Sequence, residues 1–103
     1  MTKAQIAGNK LIMAYLPKGY FKSWITPDQL HYHDDLMHQM DLIALIEANG
    51  YRTSLIYMPN CGYSFLISKG ILGANEPHYH FNRIRTKAIF FEIVRFLKFN
   101  KLS

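Results

Sequence analysis

Apolar residues change their spacing at Gly50 and change it back near residue 82. Up to Gly50 they recur at the helical period, from residue 51 to residue 68 they alternate with polar residues, and beyond residue 82 they return to helical spacing. Periods of about 3.6 and 2 residues are typical of helices and of half-buried strands, respectively. The sequence therefore predicts an α+β fold. Because the chain is short, we expect residues 1–103 to form a single domain.

Two helices are predicted before the spacing changes. Residues 2–16 form the first, with Thr2 as its N-terminal cap, and residues 34–49 form the second, which ends at Gly50. The second helix is apolar over most of its circumference. We therefore expect it to be covered on several sides.

The alternating stretch predicts a β-hairpin, with strands at residues 51–58 and 63–68 around a turn at 59–62. Because two strands alone are marginally stable in water, other structure must support them, and residues 78–81 are a candidate third strand.

The final helix, predicted at residues 82–100, is strongly amphipathic. The expected order is α-α-β-β-(β)-α, a two- or three-stranded antiparallel sheet packed with two or three helices. The charged arc of the final helix comprises Arg85, Lys87, Glu92, Arg95 and Lys98.

Composition limits the compartment and the class of function. Half of the residues are apolar and 18% are charged, which is typical of a globular protein. No apolar run approaches the roughly 18 residues of a membrane-spanning helix. The one cysteine, Cys61, cannot form an intrachain disulfide, so we expect a cytoplasmic protein without a membrane partner. Glycine-rich phosphate loops and serine-nucleophile motifs are lacking, and nothing places Cys61 beside a histidine, so we expect no enzymatic activity.

Two copies of the tripeptide His-Tyr-His stand at residues 31–33 and 78–80, with Asp34 close to the first copy. In an extended segment the two imidazoles of such a tripeptide point to the same face, and imidazole nitrogens bind zinc, copper and nickel. If the copies converge, we expect a divalent transition metal as cofactor; if they do not, the histidines are surface or capping residues and no cofactor is expected. The candidate ligands are His31, His33, His38, His78 and His80.

The net charge of +5 is distributed unevenly along the chain. Residues 28–50 carry five acidic residues and no lysine or arginine, whereas residues 82–103 carry six basic residues and one glutamate. Basic side chains with Phe91 and Phe99 between them are typical of a surface that binds phosphates and stacks on bases. The pattern also fits the solvated face of an ordinary surface helix, or a face that docks on the acidic helix of a second copy. The candidate contact residues are Arg83, Arg85, Lys87, Arg95 and Lys98.

The start of the second predicted helix resembles a known motif. Residues 32–47 read YHDDLMHQMDLIALIE, which is similar to the YHxSWDxLMPVVEKIE motif of small uncharacterised proteins of bacteria and their phages. The resemblance extends to residues 9–12 and to the final helix at residues 88–99. It implies a shared domain built from a helix, a hairpin and a helix, and it implies no particular reaction. The direct matches are Tyr32, His33, Met40, Ile46 and Glu47.

These features together favour a non-catalytic binding or accessory module that recognises a macromolecular partner. We expect a homodimer, because one chain has little structure with which to cover the apolar second helix and the thin sheet. The alternatives are metal binding through the two His-Tyr-His copies and nucleic-acid binding through the basic final helix.

Overall fold

The fold agrees with the predicted α+β class. A computed structural model describes residues 1–17, 19–69 and 79–99. Within these residues the chain forms three α-helices and one two-stranded antiparallel sheet, and no helix has both the length and the apolar sequence needed to cross a membrane. The elements are α1 (Lys3–Tyr15), a 3₁₀ turn (Pro27–Gln29), α2 (Leu36–Ala48), β1 (Tyr51–Met58), β2 (Gly62–Lys69) and α3 (Arg85–Phe99).

Capping side chains explain where α1 and α2 begin. The hydroxyl of Thr2 accepts a hydrogen bond from the backbone N–H of Gln5 at 3.1 Å, and the side-chain oxygen of Gln5 accepts one from the backbone N–H of Thr2 at 2.9 Å. The carboxylate of Asp35 accepts bonds from two backbone N–H groups in the first turn of α2. Such caps typically contribute about 1 kcal/mol each. The chain leaves α2 through Gly50, whose φ of +92° suits glycine.

The predicted hairpin is present. β1 and β2 pair antiparallel from Tyr51 opposite Lys69 to Met58 opposite Gly62. Gly62 begins β2 with a φ of +98°, and a Cβ at this position would collide with the carbonyl oxygen of Asn82. Glycine is therefore required here both by the turn and by the close approach of another segment.

The prediction of a third strand at residues 78–81 is wrong for residues 79–81, which are the part of this segment that the structure describes. Residues 79–81 make no strand pairing, and His78 lies outside the described residues. The next residue, Asn82, pairs with Tyr63 through backbone hydrogen bonds of 2.7 and 2.8 Å. The side chain of Asn82 then accepts a bond from the backbone N–H of Ile84 at 2.9 Å. This local bond turns the chain toward α3 after a single sheet contact.

The core lies where α3 meets the other helices and the inner face of the hairpin. Phe90 and Ile93 of α3 pack with Ile12 of α1, Ile46 of α2 and Phe65 of β2, and each of these residues is at most 4% exposed. Full burial of a side chain of this size contributes about 1.5–3 kcal/mol. The apolar arc predicted for the final helix is thus the centre of the core.

A buried amide joins segments that are distant in sequence. Gln39 of α2 is fully buried, and its Nε2 donates to the backbone carbonyl oxygens of Tyr32 and Thr86, both at 2.8 Å. Leaving a buried carbonyl without its partner costs about 1–3 kcal/mol. Gln39 therefore fixes α2 against both the loop before it and the start of α3.

One side of α2 faces solvent. Leu42 and Ile46 are buried, whereas Met37 and Met40 are 75% and 55% exposed. We expected α2 to be covered on several sides. Among the residues that the structure describes, the other elements pack against the side that carries Leu42 and Ile46, so this expectation is not met within one chain.

Candidate functional site

α3 carries an outer stripe in which basic and aromatic side chains alternate. Lys87, Phe91, Arg95 and Lys98 recur at spacings of three or four residues, so they lie along one line of the helix. Phe99 adjoins Lys98 at the end of this line. We call these five residues the α3 stripe. Its two phenyl rings are well exposed, Phe91 by 48% and Phe99 by 78%.

The α3 stripe differs from the outer face of an ordinary surface helix. Such a face consists of charged and polar side chains. Here Phe91 has Lys87 one turn before it and Arg95 one turn after it, and it still keeps about half of its surface in water. Exposed rings between cations are available for stacking on a planar partner.

The prediction that Glu92 lies on the solvated arc of α3 is wrong. Its side chain is 7% exposed, and its oxygens accept hydrogen bonds from Nε and Nη2 of Arg95 at 3.0 and 2.5 Å. Position 92 falls at the border of the polar arc, and the segment before α3 lies beside it, since Phe81 lines the same cleft as Glu92. The hydrogen bonds that Arg95 donates to Glu92 raise the pKa of Arg95, so the pair stays ionised. As a result, Arg95 offers the stripe N–H donors rather than net charge.

Two clefts open on either side of Phe91. The first has a volume of about 260 Å³ and is lined by Phe81, Phe91 and the Glu92–Arg95 pair, among others. The second has a volume of about 190 Å³ and lies between α1 and α3. Both are smaller than the roughly 300–1,000 Å³ of clefts that enclose a whole small ligand. Their size suits one inserted ring rather than a complete cofactor.

α1 extends the positive surface next to the α3 stripe. Ala7 of α1 lines the cleft shared with α3, and Lys3 and Lys10 lie one turn to either side of Ala7. Both lysines are exposed, and α1 carries no acidic residue. We call Lys3, Lys10 and the α3 stripe together the basic face. By contrast, α2 carries Asp41 and Glu47 and no lysine or arginine.

The basic residues predicted from the sequence are all exposed, but they do not form one surface. Lys87, Arg95 and Lys98 belong to the α3 stripe, whereas Arg83 precedes the helix and Arg85 lies on a different side of it. Lys3 and Lys10 were not predicted. Their seven-residue spacing, which places both on the same side of the first predicted helix, is the sequence feature from which they could have been predicted.

The structure brings together part of the predicted histidine set. His31, His33 and Asp34 each place one ligand atom within 4.8 Å of the others. Nδ1 of His31 lies 3.1 Å from Oδ1 of Asp34, and Nε2 of His33 lies 3.5 Å from Oδ2 of the same carboxylate. The ring of His38 is centred 6.4 Å from that of His31, and His38 does not belong to the group. We call His31, His33 and Asp34 the histidine cluster.

The second His-Tyr-His copy does not join this cluster as far as the structure describes it. His80 lines the cleft beside Phe91 instead, and His78 lies outside the described residues. The physical reason is the pairing of Asn82 with Tyr63, which holds the chain just after His80 against the hairpin, whereas the first copy precedes α2. Convergence of the two copies was left open by the sequence, and His80 does not belong to the histidine cluster.

Asn9 was not among the residues predicted to matter. It is fully buried, and its Nδ2 lies 3.3 Å from Nδ1 of His33 and 3.3 Å from the backbone carbonyl oxygens of Pro27 and Leu30. Its Oδ1 has no hydrogen-bond partner among the described residues. The sequence feature from which it could have been predicted is its position three residues before Ile12, which places a polar residue on the inner side of the first helix.

The chain was compared with protein-family models, with curated proteins and with solved structures, and no match was found. The family resemblance of residues 32–47 therefore stays a prediction.

Proposed function

We propose that this protein is a non-catalytic module that binds single-stranded nucleic acid through the basic face. The observation that carries the proposal is the exposure of Phe91 and Phe99 beside the basic residues of the α3 stripe. Proteins that bind single strands without sequence preference combine cations for the phosphates with aromatic rings for the bases. The α3 stripe contains both in alternation.

The charges of the basic face suit a phosphate backbone. Lys87 and Lys98 of α3 and Lys3 and Lys10 of α1 are exposed. Glu92, the acidic residue of α3, is buried and neutralised by Arg95, so the face presents no free carboxylate from α1 or α3. Lys87 and Lys98 are eleven positions apart, which corresponds to about 16 Å along the helix axis and matches a short binding site.

The exposed rings favour a single strand over a duplex. Phe91 stands between two clefts that each suit one ring, so a base stacked on Phe91 has space on either side of the phenyl group. The bases of a duplex are already stacked on one another and hide their faces. Only an unpaired strand offers bases that Phe91 and Phe99 can contact in this way.

A first experiment measures the affinity of the full chain for a fluorescent oligothymidylate by anisotropy. Stacking on an aromatic side chain contributes about 1–3 kcal/mol per base, so Phe91→Ala is expected to weaken binding about 5- to 150-fold. The matched control is Trp24→Ala, because Trp24 is 67% exposed with Lys22 over its ring and lies outside the basic face. It is expected to leave the affinity unchanged. Equal affinities of Phe91→Ala and the unaltered protein would rule out the stacking mode.

A second experiment measures the salt dependence of the same affinity. Each phosphate contact of a single strand contributes a slope of about −0.7 in the logarithm of the affinity against the logarithm of the salt concentration. Lys98→Gln is expected to reduce the slope by about this amount. Lys22→Gln, at an exposed loop position outside the basic face, serves as the charge-matched control and should not change the slope. Affinity that is independent of salt would contradict phosphate binding.

We further propose that two copies of the chain pair through β1. Among the described residues β1 pairs with β2 on one edge and has no partner on the other. Leu55, Tyr57 and Met58 are 43%, 59% and 47% exposed, and Arg52 is the one charged residue of the strand. An edge without lysine or proline is a template for another strand, and a two-fold axis lets both copies use the same edge.

Light scattering after gel filtration tests this pairing. The unaltered protein is expected to have the mass of a dimer. Tyr57→Lys, which places a charge on the exposed edge, is expected to have the mass of a monomer with an unchanged circular-dichroism spectrum. A monomeric unaltered protein at high concentration would remove the basis for the pairing.

The proposed location is the cytoplasm. Cys61 lies exposed in the hairpin turn as a free thiol. An exposed unpaired thiol is compatible with a reducing compartment. Fractionation of cells that produce the full chain tests the proposal, and recovery outside the soluble cytoplasmic fraction would contradict it.

A further inference from the structure

We infer that the histidine cluster binds a divalent transition metal, with zinc as the best fit. Oδ1 of Asp34 lies 3.1 Å from Nδ1 of His31, and Oδ2 of Asp34 lies 3.5 Å from Nε2 of His33. One ligand atom from each of the three residues lies within 4.8 Å of the other two, so small side-chain movements bring them to the spacing of a shared ion. Zinc with ligands at about 2.0–2.1 Å in tetrahedral geometry holds them about 3.3 Å apart. Two imidazoles and one carboxylate leave the fourth position to water, as in open zinc sites.

The surroundings of His33 support a ligand role. Its side chain is 10% exposed, and its ring packs edge-on against Phe90, with ring centroids 6.1 Å apart. Asn9 Nδ2 lies 3.3 Å from Nδ1, the ring nitrogen that is not next to Asp34. In metal sites the second nitrogen of a histidine ligand usually donates its N–H to an acceptor, which fixes the ring orientation, and the side-chain amide of Asn9 stands at that position.

The side-chain oxygen of Asn9 can serve as a hydrogen-bond acceptor for His33 when a metal is bound. When Nε2 of His33 coordinates a metal, the ring proton sits on Nδ1 and needs an acceptor. Oδ1 of Asn9 lacks a partner among the described residues, and rotation of the amide supplies it as that acceptor. The rotation removes Nδ2 from the carbonyl oxygens of Pro27 and Leu30. Because that exchange has a cost, we expect a dissociation constant on the order of micromolar rather than the far tighter binding of closed structural sites.

The position of the cluster defines what the metal would do. His31 and Asp34 are both 57% exposed, so the site is accessible from solvent. Asp35, the next residue, caps α2, and Asn9 belongs to α1. A bound metal therefore holds together the loop that leads into α2, and it stabilises the native chain by an amount that grows with the logarithm of the zinc concentration above the dissociation constant.

The test is calorimetric titration of the tag-free full chain with zinc chloride. We expect one zinc per chain, and His31→Ala and Asp34→Asn are each expected to weaken binding at least about tenfold. Both side chains are largely exposed, so these variants should fold, and circular dichroism checks this. His80→Ala and His38→Ala are the matched controls, because both residues are exposed histidines outside the cluster. Their affinities should equal that of the unaltered protein.

The outcomes separate the cluster from other sites. Zinc binding that is weakened by His31→Ala and Asp34→Asn but not by His80→Ala or His38→Ala supports the inference. Absence of measurable zinc binding overturns it. Equal losses from His80→Ala and His31→Ala also overturn it, since they would indicate a site built from both His-Tyr-His copies. Nucleic-acid binding by the basic face is independent of every one of these results.

Discussion

Replacing Gly8 by alanine tests the contact between α1 and α3. A Cβ at Gly8 would lie 2.5 Å from Cζ of Phe90 and 2.8 Å from Cγ2 of Val94. Phe90 is 2% exposed and packs in the core, so its ring can yield only by shifting against neighbouring core side chains. Alanine at position 8 therefore forces α1 and α3 apart or strains the core.

The size of the effect follows from two opposed contributions. Alanine in a helix interior is favoured over glycine by about 1 kcal/mol. Overpacking a tight contact typically costs about 1–3 kcal/mol, and two approaches below 3.0 Å place Gly8→Ala at the upper end. We expect the free energy of unfolding to fall by about 2 kcal/mol, and Tm to fall by about 8–16 °C for a domain of this length.

Urea unfolding followed by circular dichroism measures the change, and two variants serve as controls. Ala14→Gly, at an exposed position of α1, reports the propensity contribution alone and should cost about 1 kcal/mol. Phe90→Leu removes the ring that the new Cβ would meet. In the Phe90→Leu background, Gly8→Ala should therefore lower the free energy of unfolding much less than it does in the unaltered protein. If Gly8→Ala instead stabilises the chain, α1 does not approach α3 at Gly8 and the cleft between them is wrongly described.

The remaining predictions concern buried polar groups. Gln39→Met removes two donors from backbone carbonyls, and urea unfolding should show a loss of about 2–3 kcal/mol, whereas Met40→Gln at the exposed neighbour should change stability by less than about 0.5 kcal/mol. Burial, with smaller contributions from the charges of Tyr20 and Asp41, raises the pKa of Tyr32 to about 12. The folded chain then retains a proton that the unfolded chain releases above pH 10, so stability should fall between pH 10 and 12 by up to about 1.4 kcal/mol per pH unit. Tyr32→Phe should flatten this decline, and an unchanged decline would show that other groups cause it.

The local elements could be predicted from the sequence because their signals are local. Thr2 caps α1 through a residue three positions away, and Gly50 stops α2 through its own φ. The same is true of the hairpin, whose strands alternate in a pattern that needs no distant partner. The prediction of a third strand failed near Asn82. There the side chain of Asn82 accepts a hydrogen bond from the backbone N–H of Ile84, and its backbone forms one isolated β-bridge with Tyr63.

The candidate sites were less predictable because they depend on how distant segments meet. Helical periodicity places Glu92 near the polar arc, but burial there comes from residues that precede α3 and fold beside it. The sequence pattern left open whether His31 and His80 share a site, and only the tertiary structure shows that His80 lines a cleft beside Phe91 while His31 lies in the histidine cluster. Likewise, Asn9 is visible in the sequence as a polar residue in an apolar helix, but its contact with His33 is not.

Chemical-shift mapping of the isotope-labelled full chain during titration with oligothymidylate locates the contact surface residue by residue. Binding through the basic face predicts that the perturbed amides belong to α1 and α3, with the largest changes around Phe91 and Lys98. Changes confined to α2 or to the hairpin, or no changes at all, would contradict the assignment of Phe91 as the stacking ring.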